Sequence, residues 1–358
     1  MLVGAALAPP IADFIGVHGA FSRPLAGIVV LVAAGSIGSS LGYWLGEPIR
    51  LRLLTKPGHG EVDSMFGALF SALAIVAVCW FLGIAFARVP SPNVAGLIQR
   101  SAILRILDSI APRPPGFLAG VQQVIAGVPF PPAFSGLEPI FASPPPLPAS
   151  IDAPGIRRAE TATVQVKSLG VACNGIVTGT GFPVAGGRIL TNAHVVAGTR
   201  DTVVIPPGQG GRGFPARVVV FDPNRDVAIL YVPGLNLAEL PASNGSRGTQ
   251  GAVIGYPEGG PESVGPAVVD EEVTAEGRDI YNQKLVTRDI FVIEALVKPG
   301  NSGGPLVSLD GGVVGVVFAA STTSDTRAYV LTDSEVAPDV QAGAARTTPV
   351  ATGSQCAV

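Results

Sequence analysis

"KPGNSGGPLVSLDGGVVGVVF" occupies residues 298–318 and admits two readings. Gly300, Gly303 and Gly304 fit a tight turn with no chemistry attached. Alternatively, Ser302 is a nucleophile on a glycine-rich loop, which requires a base and a carboxylate elsewhere in the chain. The residues after the serine decide the fold. "PLVSLDGGVVGVVF" is a short apolar run, a turn and a second apolar run, the pattern of strand, turn, strand.

The same texture begins near Ala159 and continues through "TATVQVKSLG", "GRILTNAHVV", "DTVVIPPG", "ARVVVFDP", "DVAILYVPG", "GAVIGYPEGG", "FVIEALV" and "RAYVLT". Short Val- and Ile-rich runs separated by Gly, Pro, Asn and Asp clusters predict an all-β barrel or sandwich. About 200 residues remain for it, enough for two small barrels and a shared core.

Residues 156–358 contain a single histidine, His194 in "LTNAHVVAG". His18 and His59 belong to the first part of the chain. A serine hydrolase built around Ser302 needs one imidazole as base and one buried carboxylate to orient it. The carboxylate candidates are Asp222 and Asp226 in "FDPNRDVAILYV". Asp226 leads directly into an apolar strand, whereas Asp222 precedes Pro223 and suits a turn.

"TNAH" at 191–194, "DVAIL" at 226–230 and "GNSGGP" at 300–305 together resemble the trypsin/chymotrypsin-fold serine proteases, in the chain order His, Asp, Ser. The resemblance implies a double β-barrel with His194, Asp226 and Ser302 as the triad. It implies an oxyanion hole from the amides of Gly300 and Ser302, and Gly300 suits a backbone shape that side chains resist. By family analogy Leu296 lies at the base of the primary substrate pocket, with Phe318, Ala319 and Ala320 along its wall. Leucine there selects an apolar or small residue before the cut. Asn301 replaces the aspartate of the family motif, so the charged partner for a newly freed N-terminus is absent.

The first part of the chain differs. Charged residues are only 14% of the chain, against about 25% for a typical soluble domain. Mean hydropathy is +0.47. Residues 24–46 and 64–87 carry no charge, and each exceeds the roughly 20 apolar residues that a bilayer crossing needs. Gly38, Gly42 and Gly46 recur every four residues, allowing a neighbouring helix to approach closely. Arg50, Arg52 and Lys56 place the loop between the spans on the cytoplasmic side and both flanks outside. The apolar start, broken by Pro9 and Pro10, reads as a partial helix before residue 20, the remnant of a span that began upstream.

These observations predict transmembrane helices over 1–90, an amphipathic helix near 97–107 within a Pro-rich linker over 91–155, and a protease domain over 156–358. Dense proline forms extended spacer rather than core. The whole arrangement resembles the actinobacterial membrane-anchored acid-resistance serine proteases, with "TNAHVVAG", "GYP" at 255–257 and "VTRD" at 286–289 as further points of likeness. The membrane part of that family is similar to colicin-V-production proteins. The resemblance implies a multi-pass protein of the cytoplasmic membrane, held by lipids through its first helices. The protease domain then faces the periplasm and cuts envelope proteins and peptides under acid or oxidative stress. Other readings are a stress degradase of the HtrA kind and an inactive membrane scaffold with a protease-like β module.

A net charge of −3 gives no basic surplus for nucleic acid. One histidine and two distant cysteines in the β part cannot form a usual metal ligand set, so no metal and no cofactor is expected. Cys79 reads as a small buried residue within a span. Outside the cytoplasm, Cys173 and Cys356 are expected to form a disulfide. Seven acidic residues between Glu258 and Asp279 read as a charge-crowded region whose repulsion acid would ease.

Overall fold

The computed structural model describes residues 36, 40, 68–69, 71–73, 75–80, 83–84, 87, 92–110, 132–170 and 175–357. The chain divides into two compact units, Met1–Val128 and Pro129–Val358.

In the first unit, the expected amphipathic helix is two helices, α1 (Pro92–Gln99) and α2 (Ala102–Ile110). Ile103, Ile106 and Ile110, spaced for one helical face, are exposed. Residues 75–80 are helical, and Cys79 is a free, exposed thiol rather than a packed one. Among the described residues no helix is long and apolar enough to cross a membrane. Of the expected span 24–46 only Ser36 and Ser40 are described, and 64–87 is described in pieces. Span 24–46 and the partial helix before residue 20 therefore lie almost or entirely outside the described residues, and 64–87 lies partly outside them.

The second unit contains two closed six-stranded antiparallel barrels. The first comprises β1 (Val164–Gly170), β2 (Gly175–Val184), β3 (Arg188–Thr191), β4 (Asp201–Ile205), β5 (Phe214–Asp222) and β6 (Val227–Tyr231), in the spatial order β1-β2-β3-β6-β5-β4. The second comprises β7 (Gln250–Gly255), β8 (Ser263–Arg278), β9 (Leu285–Glu294), β10 (Pro305–Ser308), β11 (Val313–Ala320) and β12 (Arg327–Thr332), ordered β10-β11-β12-β9-β8-β7. Closure pairs every strand on both sides and leaves no sheet edge.

Each barrel has its own apolar filling, with Val166, Leu230 and Val204 in the first and Val253, Phe291 and Val330 in the second. A third, larger cluster including Phe182, Leu190, Ile254, Val316 and Phe318 draws on strands of both barrels. The β8–β9 hairpin extends to the first barrel. At its tip Ile280 packs with Ala193 and Ala197, and its N–H donates to the carbonyl of Pro223 at 3.1 Å. The C-terminal helix (Asp333–Gly343) is capped by Thr332, whose hydroxyl accepts from the Glu335 N–H at 3.2 Å.

Composition marks the Pro-rich linker as spacer, but its described part from residue 132 lies against the second barrel. Phe134 meets Tyr329 edge-on at 5.3 Å between centroids, and Ser135 N–H donates to the Glu276 carbonyl at 2.8 Å. The Glu138 carboxylate accepts from the hydroxyls of Ser321, Thr322 and Thr323 and from the Thr322 N–H. Proline sets the backbone of such a segment extended but does not prevent its intervening Phe, Leu and Glu side chains from finding partners.

The acidic region is also not a loop. Most of it is strand β8, paired on both sides. Asp270 is buried with Arg247 and Arg327 as partners, and Asp279 caps the hairpin turn by accepting from the Gln283 N–H. Asp270 and Asp279 are thus held by separate partners at opposite ends of the strand's second half.

Candidate active site

His194 lies in a one-turn helix (Ala193–Val196) that follows β3 immediately. The preceding residue pair makes the junction rigid. Thr191 donates its hydroxyl to the Thr180 carbonyl at 2.7 Å, and Asn192 donates its side-chain amide to the Asp226 carbonyl at 2.8 Å. The side chain of His194 is 11% exposed and that of Asp226 is fully buried.

Asp226 ends the turn between β5 and β6 with φ +65, a left-handed conformation uncommon outside glycine. Strained backbone of this kind persists where surrounding bonds fix it. The carboxylate accepts from the His194 backbone N–H at 2.9 Å through one oxygen, and its other oxygen lies 2.7 Å from His194 Nδ1. Both atoms of the histidine are thus held by one carboxylate. Asp222 does make the turn, accepting from the N–H groups of Asn224 and Arg225.

Ser302 follows β9 on the loop into β10. Its carbonyl accepts from the Thr180 N–H at 2.8 Å, which ties it to the first barrel. Gly303 presses against β2 and the end of β3, next to the helix that carries the histidine. A Cβ there would fall 2.2 Å from the Thr180 carbonyl oxygen and 3.0 Å from the Asn192 nitrogen, and its φ is +83. Glycine is the residue that permits this approach. Among the described residues no hydrogen bond joins the Ser302 hydroxyl to the imidazole. Such bonds are commonly long before substrate arrives and tighten in the complex.

Gly300 has φ +99, and a Cβ on it would lie 2.3 Å from the Tyr256 carbonyl oxygen. The carbonyl of Pro299 accepts from the Glu258 N–H. Because peptide N–H and C=O point in opposite directions, this bond turns the Gly300 N–H the other way. Among the described residues neither the Gly300 nor the Ser302 N–H has a hydrogen-bond acceptor. Two unengaged amides flanking a buried loop are suited to an oxyanion.

Sequence reasoning missed Thr180. Its hydroxyl donates to the Gly300 carbonyl at 2.6 Å and accepts from the Tyr256 N–H at 3.0 Å. With the backbone bond to Ser302, this one residue of β2 fixes three points of the second barrel. The only trace of it in the sequence is a hydroxyl inside an apolar strand. Asn301 caps its own turn, accepting from the Lys298 N–H at 3.3 Å.

Leu296 is 62% exposed, and Phe318 and Ala319 are buried in the cluster that draws on both barrels. Cys356 is disulfide-bonded, while Cys173 lies outside the described residues. Among the described residues no group of three or more His, Cys, Asp and Glu side chains could hold a metal ion.

Comparison with known proteins agrees with this geometry. The family described as trypsin-like peptidase domain matches residues 179–316, and colicin V production protein matches 1–112. The chain is 34% identical over 322 residues to the serine protease Rv3671c of Mycobacterium tuberculosis H37Rv, which covers 86% of this chain and 78% of that protein. A probable periplasmic serine endoprotease DegP-like of Chlamydia pneumoniae is 37% identical over 146 residues, 39% of this chain and 28% of that one. The crystal structure of the Rv3671c protease in its active form matches with a TM-score of 0.54 and 40% identity, covering 62% of this chain and 99% of that chain.

Proposed function

This chain belongs to the family of serine proteases that includes mycobacterial Rv3671c and is a serine endopeptidase, and we propose that its reaction runs through His194, Asp226 and Ser302. The observation that carries the assignment is the double grip of the Asp226 carboxylate on His194. That grip leaves Nε2 of the ring as the atom that takes the Ser302 proton when Oγ attacks a peptide carbonyl. The carboxylate fixes the tautomer and stabilises the imidazolium that forms. The negative charge developing on the carbonyl oxygen is received by the N–H groups of Gly300 and Ser302. One donor of this kind is worth about 3 kcal/mol of barrier in comparable sites. The imidazolium then protonates the leaving amine, and water repeats the sequence on the acyl-enzyme.

The proposal extends to placement. Two uncharged stretches at 24–46 and 64–87, together with the colicin V production match over 1–112, support a tether in the cytoplasmic membrane. Arg50, Arg52 and Lys56 support a protease unit outside it, cutting envelope proteins under acid or oxidative stress. An oxidising exterior suits a Cys173–Cys356 disulfide.

A membrane-impermeant fluorophosphonate probe applied to intact cells tests activity and placement together. The expected result is labelling of this protein in the membrane fraction, absent in Ser302→Ala. Unlabelled wild-type protein in lysed cells overturns the triad, and labelling only after lysis overturns the placement. Peptide mapping of the labelled protein without reduction is expected to find Cys173 joined to Cys356. Separate, unpaired thiols overturn the pairing. Loss of acid survival in Ser302→Ala cells supports the stress role, and unchanged survival removes it.

A further inference from the structure

The "VTRD" segment has no role in the chemistry so far, yet it carries an unusual residue. Arg288, in the middle of β9, is 2% exposed and heads the largest fully buried side chains of the described protein. Burying a charge is costly unless it is paired and hydrogen-bonded, and apolar replacements of buried ion pairs are often neutral or stabilising. A retained buried cation therefore calls for a local reason.

The hydrogen bonds of Arg288 give one. Its Nε donates at 2.7 Å to the carbonyl of Asn224, two residues before Asp226. A terminal nitrogen donates at 2.8 Å to the carbonyl of Arg278 at the end of β8. Its guanidinium lies 5.7 Å from the ring centre of Phe318, in the cluster shared by both barrels. Burial holds the guanidinium below the usual arginine value, and Asp226 is the first of the carboxylates that oppose this, ahead of Glu335, Asp222 and Asp279. The arginine thus belongs to the second barrel, while the backbone it holds and the charge it faces most strongly belong to the first.

A second contact crosses at the same place, the Ile280 N–H to the Pro223 carbonyl. The turn 222–226 is therefore held from outside by the β8–β9 hairpin at two consecutive carbonyls. Left-handed backbone is uncommon outside glycine even though aspartate tolerates it better than most residues, and these two bonds help to fix it at Asp226.

We propose that Arg288 is a positioning residue for the triad, holding the Asp226 turn in register with His194 across the boundary between the barrels. This rests on the triad reading above. Geometry at a reacting centre is steep in its effect, since a displacement of about 1 Å can cost about 10²-fold in rate.

The test compares Arg288→Lys and Arg288→Met in the full-length membrane protein. Arg288→Met removes both donors and the charge. It is expected to lower kcat at least tenfold with KM within about twofold, the split expected when substrate binding is spared. The downfield proton resonance of the His194–Asp226 hydrogen bond, recorded on the detergent-solubilised protein, is expected to broaden or disappear. Arg288→Lys, which keeps one donor and the charge, is expected to recover part of kcat and the resonance. A folded Arg288→Met protein with wild-type kcat and an unchanged resonance overturns the inference. So does a loss of activity that merely follows loss of folded protein, with the specific activity of the remainder unchanged. If wild-type protein itself fails to react with a fluorophosphonate, the triad reading has failed instead, independently of Arg288.

Discussion

The two barrels hold their shares of the site in opposite ways. In the proposed triad the first barrel supplies the groups that move protons, and it fixes them with side-chain hydrogen bonds: Asn192 to the Asp226 carbonyl, and the Asp226 carboxylate to two atoms of His194. The second barrel supplies the serine and, in the same proposal, the amides that face developing charge. It shapes them with backbone, through the positive φ angles of Gly300 and Gly303 and the bond that turns the Pro299 carbonyl toward Glu258. Each half also depends on the other. Thr180 reaches from the first barrel to the serine loop, and Arg288 reaches from the second to the aspartate turn. A proton relay needs particular functional groups at particular atoms, whereas an oxyanion needs only N–H groups correctly aimed. This explains why one half of the site is built of chemically specific side chains and the other of glycines.

The sharpest break of this contrast is Asp226→Asn. It keeps the shape of the side chain but favours the wrong imidazole tautomer. A drop of about 10⁴-fold in kcat is expected, as in comparable triads. Steady-state kinetics showing less than a tenfold loss would mean that the first barrel is not organised around this carboxylate.

A smaller effect is expected where one barrel supports the other. Thr180→Val leaves the packing of β2 but removes the hydroxyl that holds the Gly300 carbonyl and the Tyr256 N–H. A loss of about 10- to 100-fold in kcat with little change in KM is expected from the loosened oxyanion loop. Thr180→Ser should restore most of it. If the serine variant is as impaired as the valine variant, the hydroxyl is not what matters.

The smallest effect tests the turn beside Glu258. Burial, reinforced by Glu160, pushes the Glu262 carboxyl up to about 7 from 4.5. Between those values the folded protein binds more protons at this site than the unfolded chain does, so its contribution to stability falls as pH rises through that window. Glu262 is only about half buried, so solvent screening reduces the penalty to about 1 kcal/mol. Glu262→Gln is expected to stabilise the protein by about that amount at pH 8 and to change nothing at pH 4, as measured by thermal or denaturant unfolding at the two values. Equal shifts at both pH values would show that the gain has another source.

The legible part of the candidate site was the part carried by side-chain chemistry. One histidine in the β region, an aspartate entering an apolar strand and a serine among glycines were each readable from the residue and its neighbours. Thr180 and Arg288 were not, because their partners are backbone carbonyls and N–H groups, which leave no mark on the sequence. The Pro-rich segment misled through composition, since proline content reports on backbone shape and not on whether Phe134 or Glu138 finds a partner.

By itself, the sequence determined the alternation of short apolar runs and turns that closes into barrels, and the order of His194, Asp226 and Ser302, the proposed base, carboxylate and nucleophile. Both are local properties, written in residue type and spacing. The tertiary structure decided which barrel stabilises which half of the site, which side chains face the core, and which way the Gly300 amide points. Those depend on contacts between residues tens of positions apart. A hydrogen bond to a distant carbonyl is specified by how the strands pack and not by the identity of the residue that accepts it.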